Sequence, residues 1–480
     1  MAVVGVDIGT QSLKAVVTSE GGVLLAEASE SYDVLQPRAG WAEQDPRLWE
    51  RALSKVVPKA LATAGLQASQ VQGLAIAGQL DGCLAVDTKG QPLSNCLIWM
   101  DRRSVDYVPD ASAERLAATG LVFDASHMAA KIRWLKAHGK LASAARFHQP
   151  TSYLVERLCG AYVFDHGLAS TTMLYDLRAR DYGDELLARF DLDRSELPAI
   201  ARAESRAGVL SAEGAKLCGL PMGTPLAVGT GDDFSTILGA GLSAPGPMLC
   251  GLGTAEVVGT MSMALCIDTL GLVETHEFLQ GYYVQNPGWQ SGGALRWIRT
   301  ILNIDSDETL DLLAAEAPPG SDGVTFLPAL SGAMAPRWNA SARACFYGLS
   351  SHHGKAHMAR AVYEGCAFAM RDVRERLQGM GLAGAEIILQ GGGAKSALWG
   401  QIRADLCSAR VERQLGGIGS EMGAALIAEV LVDPSVSLAE LAAARRPHAL
   451  TQEPNAKNAQ AYEDAYGRYR LLFDSLEPMF

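Results

Sequence analysis

Paired cysteines at metal-ligand or redox spacing are missing from this sequence. Its nine cysteines, at positions 83, 96, 159, 218, 250, 266, 345, 366 and 407, form an odd set with no Cys-x-x-Cys pair. That pattern argues against a zinc ribbon and a disulfide framework and fits reduced, cytosolic thiols. A basic surplus is also lacking: 41 Lys+Arg face 53 Asp+Glu, a formal net charge of −12. No general positive surface is therefore expected to displace counterions from nucleic acid or an anionic membrane, and neither is expected as a partner. The opening run Met1-Ala2-Val3-Val4-Gly5-Val6-Asp7 has no basic region and carries an early acid, so it reads as structure rather than a secretory signal, and a cytoplasmic location is expected. Uninterrupted apolar runs are scarce. The longest, Gly246 to Ile267, contains Glu256 with Gly251, Gly253 and Gly259, which a membrane span seldom tolerates together. Two buried strands around a glycine turn explain it better. Low-complexity tracts and charge blocks are missing too, and 480 residues at about 150 per domain suggest two or three domains, each able to bury a core.

What is present alternates between strands and helices. Val3, Val4, Val6 and Ile8, a Gly9-Thr10 turn, Leu13 to Val17, Gly21-Gly22 and Val23 to Ala26 predict a strand meander. A second one is predicted where Pro247 to Cys250 leads through Gly251-Leu252-Gly253-Thr254 into Val257 to Met261. This echo suggests two similar halves, with a boundary at Leu242-Ser243-Ala244-Pro245-Gly246-Pro247 and domains at 1–242 and 243–480. In the second half, Val362, Cys366, Ala369, Val373, Leu377 and Met380 recur at helical spacing. A strand from Glu386 to Gln390 follows, then Gly391-Gly392-Gly393, a helix capped by Ser396 and running to about Cys407, and a strand at Val411. A glycine turn at the C-terminal end of a βαβ strand is where open sheets bind ligands. The fold class is α/β.

Two acidic glycine turns follow apolar strands: Asp7-Ile8-Gly9-Thr10, and Gly229-Thr230-Gly231-Asp232-Asp233. Small residues there let backbone N–H groups approach phosphate oxygens, and a carboxylate can bind Mg²⁺ through water or accept a proton. Taken singly, such a turn serves structure more often than chemistry. Other patterns lead nowhere. Gly348 to Lys355 lacks Walker spacing and has Ala356 where Ser or Thr must ligate Mg²⁺. His352, His353 and His357 have no carboxylate or cysteine at ligand spacing. Gly251-Leu252-Gly253 is followed by Glu256 in place of the third glycine of a dinucleotide fingerprint.

Taken together, Asp7-x-Gly9-Thr10 with Lys14, Gly231-Asp232, Gly253-Thr254 and Gly391-Gly392-Gly393 resemble, in order and separation, the nucleotide-site motifs of the FGGY carbohydrate kinases. Pro37-Arg38-Ala39-Gly40-Trp41-Ala42-Glu43-Gln44-Asp45-Pro46, Trp99-Met100-Asp101-Arg102-Arg103, Phe326 to Gly332 and Ala359 to Gly365 resemble further segments of that family. The resemblance implies two RNase-H-like domains of the actin and hexokinase superfamily, with ATP and sugar meeting in an interdomain cleft that closes to exclude water. It implies Asp232 as general base. Asp7 and Asp232 are implied on the Mg²⁺ side, Gly9, Thr10, Lys14, Gly253, Thr254, Gly392 and Gly393 around the nucleotide, and Trp41, Gln79, Asp81 and Asp101 at the sugar. The xylulokinase branch is most similar, so the implied acceptor is a ketose, D-xylulose first. The alternatives are another sugar or polyol (ribulose, gluconate or glycerol type), or an ATPase switch of the same superfamily. That branch has Gln-Met-His-Gly where this chain has Gln79-Leu80-Asp81-Gly82, Ser-Gly-Glu-Arg where it has Ser331-Gly332-Ala333-Met334, and Asp-Tyr-Ser-Asn where it has Asp165-His166-Gly167-Leu168. By resemblance a homodimer is expected.

Overall fold

Seven consecutive residues, Ala2–Ile8, form a strand (β1) that is buried throughout. A strand without a polar face must be covered on both sides and sits inside its sheet. Accordingly β1 pairs antiparallel with β2 (Ser12–Ser19) on one side and parallel with β4 (Val71–Gly78) on the other. With β3 (Leu24–Ser31), β5 (Arg206–Val209) and β6 (Pro225–Ala227) the order is β5-β6-β4-β1-β2-β3. The short strand Thr230–Gly231 also pairs with β4. The helix Pro46–Ala64, opened by Asp45 and Pro46 and ended by Gly65 in the left-handed conformation, packs on β2 and β3. The computed structural model describes residues 2–110, 112–139, 141, 146–416 and 419–480.

The helix Ser420–Val432 is apolar nearly all round and lies on β1 and β4. Gly5 permits the contact. A Cβ there would stand 2.2 Å from the carbonyl oxygen of Glu421 and 2.4 Å from the amide nitrogen of Ala425. Because both neighbours are backbone, Gly5→Ala should push the helix away and cost about 1–3 kcal/mol. The check is a fall in the denaturation midpoint; an unchanged midpoint would mean that the helix is not seated on this strand.

A second sheet repeats the plan. Its strands are β7 (Gly246–Leu252), β8 (Ala255–Ser262), β9 (Glu274–Phe278), β10 (Gly281–Gln290), β11 (Ala383–Gln390), β12 (Arg410–Gln414) and β13 (Ala449–Gln452), in the order β9-β10-β8-β7-β11-β12-β13. In each sheet an antiparallel meander (β1-β2-β3, β7-β8-β10) is extended from its first strand by two parallel strands (β4 and β6, β11 and β12) and closed by an antiparallel one (β5, β13). The repeat suggested by the two glycine turns is therefore one of whole topology. The helical stripe of the second half forms Lys355–Gly379, and Ser396 accepts from the Trp399 amide at 3.0 Å to cap Ala397–Cys407.

Chain contacts define two units. One holds Met1–Ser243, His276–Gly281 and Ile418–Arg446, and the other Ala244–Thr275, Tyr282–Gly417 and Pro447–Phe480. To the single boundary drawn at 242/243 this adds two later segments on the first unit's side. All nine cysteines are free thiols, six of them buried. Among the described residues no helix is long and apolar enough to cross a membrane.

Candidate functional site

Register brings the two acidic turns together. Asp7 and Ile8 lie beside Ala77 and Gly78 of β4, and Thr230 and Gly231 flank the same two β4 residues. Three chain segments thus end side by side, so Asp7, Gln79 and Asp232 emerge at the C-terminal edge of a parallel sheet core, the usual ligand edge of such folds. Asp232 is the first residue of the helix Asp232–Gly239. It keeps a partial opening to solvent. Its carboxyl is nevertheless held well above the usual carboxylate range, first by burial and then by the charges of Asp233 and Asp7. Asp7 is pushed up to about 7 by burial and by Glu421, against the opposing pull of Lys14. Lys14 stands directly opposite Asp7 in the antiparallel register, which places it by the acids.

Glu421, in the first turn of the Ser420–Val432 helix, is the carboxylate that the sequence reading missed. It lies more than four hundred residues from Asp7, and no local motif marks it. Close by, Tyr32 donates to the Gly9 carbonyl at 2.6 Å and braces the first turn.

On the side expected to receive a sugar, Gln79 is nearly fully buried and donates through Nε2 to Gln44 Oε1 at 2.7 Å. Gln44 Nε2 donates to the Thr10 carbonyl at 2.6 Å, and Trp99 Nε1 donates to Thr10 Oγ1 at 3.0 Å. Thr10 is thereby tied to Gln44 and Trp99, neither of which had been singled out, and Trp99 is the more open indole at 42% exposure. Asp101 is fully buried, and its carboxylate is consumed by the Ala42 amide at 2.6 Å and by Arg103 at 2.7–3.1 Å. Its evident work is to hold the Arg103 guanidinium 3.6 Å over the Trp41 ring, a cation–π pair that fixes that indole. Trp134 meets Trp41 edge-on at 5.5 Å. Asp81 adopts a left-handed φ of 62° and reaches His127, with Nδ1 to Oδ1 at 3.2 Å.

In the second unit the exposed pair Gly253 and Thr254 tips the β7–β8 hairpin. Arg296, from the helix Gly292–Leu302, donates to Thr254 Oγ1 at 2.8 Å, which sets a cation at this turn. Two residues on, Glu256 is fully buried in a two-pronged pair with Arg403 at 2.6 and 2.8 Å, and it also accepts from Ser291 Oγ at 2.7 Å. The three glycines after β11 differ in role. Gly391 takes a φ of 89°, and Gly393 packs where a Cβ would stand 2.9 Å from Leu252 Cβ. Among the described residues, Gly392 alone of the three has open space above it.

The N-terminal-domain model of the FGGY family of carbohydrate kinases matches residues 2–239, and the C-terminal-domain model matches residues 248–431. The chain belongs to the FGGY family of carbohydrate kinases. As a kinase of this family it uses ATP and acts on a small-molecule sugar. It is 28% identical to a xylulose kinase of Escherichia coli strain K12 over 99% of both chains. It is 32% identical to a glycerol kinase of Citrifermentans bemidjiense over 92% of this chain and 93% of that one. The solved xylulose kinase from Rhodospirillum rubrum superposes with a TM-score of 0.91 at 28% identity, covering 100% of this chain and 99% of that one.

In the first unit of this carbohydrate kinase one carboxylate oxygen is suited to a metal ion. Among the described residues Asp7 Oδ1 is buried with no hydrogen-bond partner, an oxygen that a cation or its hydration water would satisfy. Among the described residues no three His, Cys, Asp or Glu side chains converge as a metal cage, so a divalent ion here would complete its shell from water and phosphate, the habit of Mg²⁺. In the second unit, Gly392 leaves room for a ligand to approach the backbone and Arg296 supplies positive charge.

Proposed function

We propose that this kinase transfers the γ-phosphoryl group of ATP to a primary hydroxyl of a ketose, D-xylulose first, with Asp232 as the general base. The observation that carries the reading is the raised carboxyl of Asp232 beside Asp7 at the end of the sheet. A carboxylate that resists ionisation is a stronger base than one in water, better suited to take a hydroxyl proton as that oxygen attacks phosphorus. Mg²⁺ on the Asp7 and Asp232 side would neutralise phosphate charge. Gly9, Thr10, Lys14, Gly253 and Thr254 would face the nucleotide phosphates, Gly392 and Gly393 would let the nucleotide pass close to the backbone, and Trp41, Gln79, Asp81 and Asp101 would shape the sugar side. Such a transfer needs alignment, charge neutralisation and a base, and no covalent chemistry from the protein.

ADP release from Mg-ATP, measured against pentuloses, hexuloses, polyols and sugar acids with a no-sugar control, tests the reading. Strong stimulation by D-xylulose is expected; indifference to every sugar would refute it. A glycerol-type polyol is the second reading, favoured by the 32% identity to a glycerol kinase, and the same panel separates the two. Asp81→His should shift the ranking of sugars and leave the ATP KM almost unchanged. An unaltered ranking would show that position 81 does not touch the sugar.

A further inference from the structure

His127 occupies the N-cap position of the helix Met128–His138, without a side-chain capping bond, and is only 3% exposed. Its Nε2 lies 3.1 Å from the Val122 carbonyl and its Nδ1 lies 3.2 Å from Asp81 Oδ1. A carbonyl can only accept, so Nε2 carries a hydrogen. A neutral ring would then turn a bare lone pair toward the carboxylate, so the Nδ1–Oδ1 contact is a hydrogen bond only when Nδ1 or the carboxyl also carries a hydrogen.

The backbone of Asp81 is held as firmly. Its amide donates to Gln149 Oε1 at 2.9 Å, and its carbonyl accepts from Lys131 Nζ at 2.6 Å. Lys131 is fully buried, and its other two N–H groups go to the carbonyls of Ile98, at 2.8 Å, and Ser126. Three acceptors saturate an ammonium, so this one side chain ties together the turn at 81, the segment before Trp99 and the turn before His127. His276, pushed down to about 4 by burial and therefore neutral, and Asp124, paired with Arg102, also face His127.

We propose that His127 is a specificity-determining positioning residue, which donates to Asp81 Oδ1 and so aims Oδ2 at a hydroxyl of the acceptor sugar. The inference rests on the reading of Asp81 as a sugar-facing residue of the kinase. It implies a neutral polyhydroxy acceptor that donates a hydroxyl hydrogen to a carboxylate. A carboxylate fixed on one oxygen offers the other in a single direction, and a site built that way rejects analogues that leave it unpaired.

Two substitutions separate this role from simple packing. The amide of Asn reaches the place of Nδ1 and can still donate to Asp81, whereas that of Gln reaches the place of Nε2 and keeps only Val122. H127Q should therefore raise the sugar KM about tenfold or more, with kcat and the ATP KM within about twofold, while H127N should stay within about threefold of the unsubstituted kinase in sugar KM. In a D81G background, which removes the carboxylate that His127 orients and suits the left-handed backbone at 81, adding H127Q should change the sugar KM by less than about twofold. If H127Q does not fold, H127F takes its place with the same expected shift. Equal effects of H127Q and H127N, or an H127Q effect undiminished in D81G, would overturn the proposal while leaving the kinase reading in place. ADP release indifferent to every sugar in the unsubstituted protein would overturn both.

Discussion

Asp232→Asn is expected to cut sugar-dependent ADP release by about a thousandfold, within the range that general base catalysis contributes, while Mg-ATP still binds. Asn has the same shape and keeps an oxygen to accept from the Asp233 amide, as Asp232 Oδ1 does at 3.0 Å, so the turn should fold unchanged. What disappears is the proton acceptor. The variant should bind nucleotide with nearly unaltered affinity by calorimetry and should show the loss in turnover rather than in sugar KM. Retention of more than a few per cent of turnover would refute the base role, and loss of nucleotide binding would show that the carboxylate acts chiefly in the metal site.

Arg403→Met is expected to destabilise the second unit by about 3–5 kcal/mol, because it strands a buried carboxylate. Both partners of the Glu256–Arg403 pair are fully shielded from water, and after the change, among the described residues, Ser291 Oγ is the side-chain donor left to Glu256. Desolvation then falls almost wholly on one unpaired charge. The double variant Glu256→Met with Arg403→Met should recover most of the loss, since replacing both charges with apolar groups removes the penalty together with the pair. Because Glu256 stands two residues beyond Thr254, the single variant should also raise the ATP KM through disorder of the hairpin tip. Denaturant melts and initial rates measure both effects; a single variant as stable as the double would mean that the pair is not buried in solution.

The sheet core was legible because its strands carry their own signal. The apolar run of β1, the Gly9-Thr10 turn and the Glu386 to Gln390 strand with its glycine turn appear where the sequence predicts them, β11 starting a few residues earlier. Glu256 was visible as an oddity within an apolar run, but not its partner, because Arg403 lies 147 residues away. Asp101 shows the opposite case. Its neighbours Trp99 and Arg103 mark it as part of a functional stretch, yet only packing reveals that its oxygens are spent on Ala42 and Arg103. Glu421, Arg296 and His127 had no local motif to betray them, and Gln44 lay unmarked inside the stretch 37–46.

By itself the sequence determined the α/β class, the duplicated glycine turns and the acids set in them, since periodicity and turn chemistry act over a few residues. Only the tertiary structure decided which distant groups share a charge or a proton: Glu421 with Asp7, Arg403 with Glu256, His127 with Asp81. Electrostatics and hydrogen bonding depend on distance through space and on exclusion of water, and neither is written in the spacing of residues along a chain.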